Sequence, residues 1–205
     1  MSEQRSYPRQ VKTDAGDIEI RLMSPADEAA VLAFGKGLPT HDLLFLPRNI
    51  SEPKVLSAWV KEIERGAITS LLAVRDAKVV GCGTLVRDPH SWSPHVGEIR
   101  MVVSQDVRGQ GVGRTLSQEI FALALSAGLE KLSVRLTVDQ QAAIALFESL
   151  GFKAEALLRD HVRDVNGKKH DIVVLAHNVT QVRAQMEAYG LPGAVQGPAE
   201  AGRDG

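Results

Sequence analysis

Apolar and polar positions along this chain follow two rhythms, and the changes between them mark the elements. Residues 17–22 alternate with period two, the pattern of a half-buried strand. Ser24-Pro25-Ala26-Asp27 then offers a capping serine, a proline for the first helical position and an acid for the first turn. The helix that follows buries Val31, Phe34 and Leu38. A loop over residues 39–47 carries His41, Asp42 and Phe45. Ser51 and Glu52 open a second helix, whose stripe is Val55, Trp59 and Ile63 and whose stop is Gly66. Two apolar runs, 70–75 and 78–86, joined at Asp76-Ala77, predict a β-hairpin. A polar loop over 87–95 includes Trp92.

The stretch 98–114 organises the rest. Its first half is a short apolar run with β-branched residues and predicts a strand. Its second half sets Gly109, Gly111 and Gly113 at alternate positions and opens a helix with Leu116, Ile120, Leu123 and Ala127 on one face, ending at Gly128. A strand that turns through glycines into a helix start presents free N–H groups and the positive end of the helix dipole. Phosphate is the natural guest there, and glycine lets the backbone approach it closely. A strand over 131–138 follows, then a helix over 140–150 with Ala143, Phe147 and Leu150 inward. Strands over 152–165 and 168–178 flank the hairpin signal Asn166-Gly167. Residues 1–15 are polar and are expected to be flexible. A short helix from about 180 to Tyr189 is expected within a largely flexible, Pro/Gly/Ala-rich extension over 179–205.

Two common phosphate motifs fail at the glycine turn. No Gly-Lys-Ser/Thr follows, so it is not a mononucleotide loop, and Arg114 stands where the dinucleotide fingerprint needs its third glycine. Arg108-Gly109-Gln110-Gly111-Val112-Gly113 instead resembles the [QR]-x-x-G-x-[GA] signature of the Gcn5-related N-acetyltransferases, the GNAT family. The element order β, α, α, β, β, β, α, β, α, β, β resembles that family's topology over 16–178. The resemblance implies one α/β (α+β) domain there, a mixed central sheet flanked by helices, with acetyl-CoA as co-substrate. It assigns the cofactor to the backbone of Met101, Val102 and Val103, to the turn Arg108, Gly109, Gln110, Gly111, Val112, Gly113 and Arg114, and to Gln140 and Phe147. The segment 140–152 is similar to the family's N-x-x-A-x-x-x-Y-x-x-x-G-F run, with two departures. Gln140 replaces an asparagine and keeps an amide. Phe147 replaces a tyrosine, a proposed general acid, and removes its hydroxyl. Glu98-Ile99-Arg100, residues 157–165 and His170-Asp171 are more distantly similar to bacterial acetyltransferases akin to protein-lysine acetyltransferase modules.

Acetyl transfer to an amine needs a base, a polarised thioester carbonyl, a leaving thiolate and a shared orientation. The resemblance points to Glu98 as the base; its structural alternative is a surface carboxylate pairing with Arg100. Strand alternation places Glu98, Arg100 and Val102 on one face unless a bulge intervenes. A thiol pKa near ~8.5 lets the thiolate leave without a tyrosine acid. His161 is a possible substitute acid, though a strand histidine is more often bonded to a neighbour. Cys82, within an apolar run, reads as inert packing and not as a covalent acetyl carrier. Trp92 either lines the acceptor pocket or covers the core. His41 and Asp42 read first as a solvated loop, and as acceptor-site residues by resemblance.

Composition narrows the class. Of 205 residues, 44% are hydrophobic and 24% charged, the profile of a soluble globular chain, and a formal charge of −1 favours neither nucleic acid nor an anionic membrane. No apolar run of ~18 residues predicts a membrane span. A single cysteine fits a reducing, cytoplasmic compartment. Six histidines lack metal-ligand spacing, so no metal is expected. The acceptor is a small-molecule amine or a protein or peptide amino group; the oligomeric state is not encoded legibly. The expected function is a sequential N-acetyltransferase. Two alternatives are a non-catalytic acyl-CoA-binding or sensing module and a nucleotide-binding oxidoreductase, the latter weakened by the failed fingerprint.

Overall fold

The structure, a computed structural model, describes residues 5–179. The expected segments 1–4 and 180–205, with the short C-terminal helix, lie outside the described residues. Eight strands form one sheet in the order β1-β2-β3-β4-β5-β6-β8-β7. In chain order these are β1 (Arg9–Thr13), β2 (Gly16–Leu22), β3 (Ile68–Arg75), β4 (Lys78–Arg87), β5 (Val96–Val103), β6 (Lys131–Thr137), β7 (Lys153–Arg163) and β8 (Lys169–Asn178). Every neighbouring pair is antiparallel except β5–β6, which is parallel. Four helices cover the sheet: α1 (Glu28–Gly37) and α2 (Pro53–Glu64) on one face, α3 (Val112–Ser126) and α4 (Gln141–Ser149) on the other.

Each face has its own apolar core. Under α3 and α4, Ile18, Ile20, Leu116, Ile120, Leu132 and Phe147 are at most 1% exposed. Under α1 and α2, Val31, Leu56, Leu72 and Val102 form the second cluster. Gly83 shows how tightly the first is packed. A Cβ there would come within 2.4 Å of the Ile120 side chain, so β4 meets α3 through its glycines.

Local chemistry sets the element ends. The Ser24 N–H and Oγ–H both donate to Asp27 Oδ2, at 2.9 and 3.0 Å, and a 3-10 turn at Pro25–Asp27 precedes α1. Arg21 grips the same carboxylate with two N–H groups, at 2.8 and 2.6 Å. That grip, above all, and the Ser24 bonds hold the Asp27 carboxyl down at about 2 despite its burial. Asp76 and Ala77 both adopt positive φ, 50° and 60°, matching the twist of the β3–β4 hairpin. The Asn166-Gly167 signal does produce a hairpin, but through a longer loop. Asp164 Oδ1 accepts from the Asn166 and Lys168 N–H groups and organises it.

One expectation needs correction. Residues 9–13 are not a loose tail but strand β1, paired with β2 from Arg9↔Ile20 to Thr13↔Gly16. The segment holds one large apolar residue, Val11, so its pattern is weak; pairing with a neighbouring edge makes it a strand. Glu119 on α3, 3% exposed, anchors it by accepting from Tyr7 Oη (3.0 Å) and Arg9 Nη1 (2.7 Å) and by pairing with Arg5. Burial and the Glu119 carboxylate push the Tyr7 phenol up, so it stays a donor.

Candidate active site

The site begins where two strands part. β5 and β6 pair only over 96–99 and 131–134, so the last four residues of β5 have no partner on that side. On its other side β5 runs in unbroken register with β4, from Gly81↔Val103 to Arg87↔Gly97, without a bulge. Glu98, Arg100 and Val102 therefore share one sheet face, as alternation predicts. Val103 O accepts from Arg108 Nε and Nη2 at 3.2 and 3.1 Å, so its backbone groups face the opening. Alternation turns those of Met101 the same way and those of Val102 toward β4. Of the three backbone candidates, Met101 and Val103 thus line the opening.

The exposed edge leads into the glycine turn. A 3-10 turn at Gln105–Val107 precedes Gly109 (φ 73°), and Gly111 (φ 86°) is the N-terminal cap of α3. Glycine brings no capping side chain, and the first intrahelical bond is Thr115 N–H to Gly111 O, at 3.0 Å. The N–H groups of Val112, Gly113 and Arg114 precede it and are available to an anion. A Cβ on Gly109 would meet open space, whereas one on Gly111 would face Thr13 at 3.6 Å. Gln110 is tied to its own turn through Asp106 O (2.9 Å), and Arg114 Nη2 donates to Ser149 Oγ at the end of α4 (3.1 Å).

Two residues that the resemblance assigned to the cofactor make other contacts in the structure. Phe147 is 1% exposed and packs edge-on against Phe152, with centroids 5.2 Å apart, so it belongs to the core and does not line the opening. Gln140 caps α4, where its Oε1 accepts from Thr137 N–H at 3.3 Å.

Glu98 is part of a charged cluster. It accepts from Arg100 Nε at 2.8 Å and lies 4.0 Å from Arg135 Nε on β6. Beyond Arg100, a cavity of about 400 Å³ opens between the sheet and α2, and its walls include Trp59, Cys82, Thr84, Arg100, Met101 and Val102. Trp59 Nε1 donates to Ser70 Oγ (3.0 Å), which meets Thr84 Oγ1 (3.1 Å). Burial pushes the Cys82 thiol up to about 12, which fits inert packing. Trp92 is fully exposed and neither lines this cavity nor covers the core. His161 is exposed on β7, beside Asp160 (φ 52°), where the β7–β8 register breaks.

At the far rim of the opening, the sequence singled out His41 but not the contacts it makes. At the end of β6, Asp139 Oδ2 meets His41 Nε2 at 2.8 Å, and the His41 ring stands edge-on to His170, centroids 5.2 Å apart. His170 Nε2 meets Asp164 Oδ2 at 2.9 Å. Burial alone would raise the Asp139 carboxyl; neighbouring donors, the His41 ring at 2.8 Å among them, outweigh it and hold it low. The next residue after His41 reaches the other rim, because Asp42 Oδ2 accepts from Arg108 Nη2 at 2.7 Å. The 3-10 turn Thr40–Leu43 therefore straddles the opening. No spacing rule joins positions 41, 139 and 170.

A parallel pair that parts and runs into a glycine-rich helix start sets an extended strand edge beside an anion-binding helix terminus, and sequence comparison gives the family. Residues 40–152, more than half the chain, match the Acetyltransferase (GNAT) family, and the chain belongs to it. The chain is 38% identical over 86 residues to an "IAA acetyltransferase" from Azospirillum brasilense, covering 42% of this chain and 54% of that protein. It is 30% identical over 74 residues to the "[Ribosomal protein bS18]-alanine N-acetyltransferase" of Escherichia coli K12, covering 36% and 50%. The chain thus spans about half the length of these two curated relatives. Among solved structures, a GNAT-family acetyltransferase from Streptococcus pneumoniae superposes with a TM-score of 0.69 at 22% identity, covering 78% of this chain and 99% of that one. The yncA protein of Salmonella typhimurium, solved with its cofactor acetyl-CoA, gives 0.67 at 19% identity, covering 79% and 94%. Among the described residues no helix is long and apolar enough to cross a membrane.

Proposed function

We propose that the protein transfers the acetyl group of acetyl-CoA to a primary amine by direct attack, without an acetyl-enzyme. The observation that carries this reading is the continuity of the opened β5 edge with the glycine turn. One path can seat an extended thioester arm along Met101 and Val103 and its pyrophosphate at Val112, Gly113 and Arg114. A backbone N–H of Met101 or Val103 polarises the thioester carbonyl. Glu98 accepts the amine's proton, directly or through a water. Arg100 and Arg135 keep that carboxylate oriented at the end of the opening where the strands still pair. The buried Cys82 thiol speaks against a ping-pong route.

The acceptor enters from the opposite face. Met101 and Val102 belong both to the cofactor-binding strand and to the cavity wall, so an amine in that cavity lies next to the thioester. Walls of Trp59, Met101 and Val102 favour an acceptor with an apolar or aromatic body. Relatives are named for both small-molecule and protein amino-group acceptors, which is compatible with an amine of either origin.

The test is release of CoA thiol from acetyl-CoA across a panel of aromatic and aliphatic amines, amino acids, peptide N-termini and lysine peptides, with product masses measured. Acceptor-dependent thiol release with a +acetyl product supports the reading. Tight acetyl-CoA binding with no acceptor-dependent release from the whole panel would favour the acyl-CoA-binding module.

A further inference from the structure

We propose that His41, Asp139 and His170 form a site for a divalent first-row transition metal of the zinc type. One ligand atom from each lies within 4.8 Å of the others, and the three come from the 3-10 turn, the β6–α4 connection and β8. Two imidazoles and a carboxylate are a donor set suited to zinc. In a tetrahedral site with bonds of ~2.0–2.1 Å, ligand atoms stand roughly 3.3 Å apart. The His41 Nε2–Asp139 Oδ2 pair, now 2.8 Å apart, would widen by about half an ångström as the ion comes between the two atoms. His170 must close in by more, and Asp139, 52% exposed, has room to follow it.

A second observation supports the site independently. Metal-bound histidines are characteristically oriented by a carboxylate on their other ring nitrogen. Asp164 does this for His170, at 2.9 Å from Nε2, with the two side chains only 11% and 15% exposed. That contact leaves Nδ1 as the atom the ring offers to an ion. Asp164 also opens the hairpin loop, where its Oδ1 accepts two backbone N–H groups, so the orienting carboxylate is itself fixed. Three protein ligands leave a fourth position open, and the bound ion would clasp the turn over the opening to the ends of β6 and β8. The proposal does not rest on acetyl transfer, and its test is independent of activity.

The experiment uses the full chain without a histidine tag, at pH 7.5. Equilibrium dialysis against Zn²⁺, with metal counted per chain, should reach one ion per chain. Co²⁺ should give the visible bands of a low-coordinate nitrogen–oxygen site. His41→Ala and His170→Ala, each checked for fold by circular dichroism, should abolish stoichiometric uptake. Asp164→Asn should weaken it by about 10- to 100-fold, the usual effect of losing an orienting partner. If either histidine variant fails to fold, Asp139→Asn on the exposed side of the cluster provides the same test. Failure of the unmodified chain to take up stoichiometric Zn²⁺ at micromolar concentrations, or uptake unchanged in His41→Ala and His170→Ala, would overturn the proposal.

Discussion

The two rims of the opening between β5 and β6 are built in opposite ways. The β5 rim is seven consecutive residues, 108–114, and its working groups are mostly main-chain N–H groups at a helix start. The β6 rim is made of side chains from positions 41, 139 and 170. The first is local chemistry that a short motif can specify. The second exists only once three distant segments are folded together. A rim of main-chain groups can be lost only by distorting or blocking the backbone. A rim of side chains can be dismantled one substitution at a time.

The largest expected effect lies between the rims. Glu98→Gln should preserve the fold and acetyl-CoA affinity while lowering turnover about 100- to 10,000-fold, the usual share of a general base. The deficit should shrink as pH rises, because the acceptor amine then arrives deprotonated. Turnover within threefold of the unmodified enzyme at pH 7 would move the base elsewhere, and the histidines of the β6 rim would then be the first place to look.

The next effect sharpens the β5 rim. Gly109 has open space around its missing Cβ, and Asp and Asn both tolerate its positive φ better than most residues. Gly109→Asp should weaken acetyl-CoA binding about 10- to 100-fold, the equivalent of roughly 1.4–2.8 kcal/mol, and Gly109→Asn far less. Equal losses in the two variants would mean that backbone strain and not charge was responsible. Calorimetric titration with acetyl-CoA distinguishes the outcomes.

A third measurement separates the rims from the frame. Asp27 carries a carboxyl held at about 2 in the folded chain, below its value of 3.8 when unfolded. A depressed carboxylate stabilises the fold above the unfolded value, and that contribution is lost as pH falls through the folded one. Roughly 2 kcal/mol should therefore disappear between about pH 4 and pH 2. Asp27→Asn should flatten the corresponding part of the stability profile. An unaltered profile would assign the acid sensitivity to other carboxylates.

The smallest expected effect tests the bridge between the rims. Asp42→Asn frees Arg108 and removes a negative charge beside the turn, so acetyl-CoA should bind up to about fivefold more tightly, the scale of an exposed ion pair. The gain should fade with added salt. Weaker binding would mean that Asp42 holds Arg108 in its useful position.

These contrasts explain what could be read without coordinates. Period-two alternation, apolar runs and helical stripes located most of the elements because these bury an apolar face, whereas β7, which has no buried residue, was marked by the Asn166-Gly167 hairpin signal. β1 escaped because Val11 is its one large apolar residue and its strand character comes from β2. The glycine turn was legible because phosphate chemistry demands glycines at fixed offsets. Phe147 was legible as an inward residue from its place on the apolar face of α4, and the structure buries it against Phe152. Trp92 was undecidable because an aromatic in a polar loop fits cover and solvent equally; it is fully exposed. Sequence reasoning named His41 and His170 separately but did not join them to each other or to Asp139, because none of the three is near another in sequence.

The β1 segment acts as a splint on the helix that heads the cofactor path. Thr13 lies beside Gly111 at the start of α3, and about two turns further along, Glu119 is held by Arg5, Tyr7 and Arg9. These residues precede the segment that matches the family, 40–152, yet they brace its central helix. Trimming the chain to residue 16 would remove the cations of Glu119 together with the segment that covers it, opening that face of α3 to water and leaving the helix without its brace.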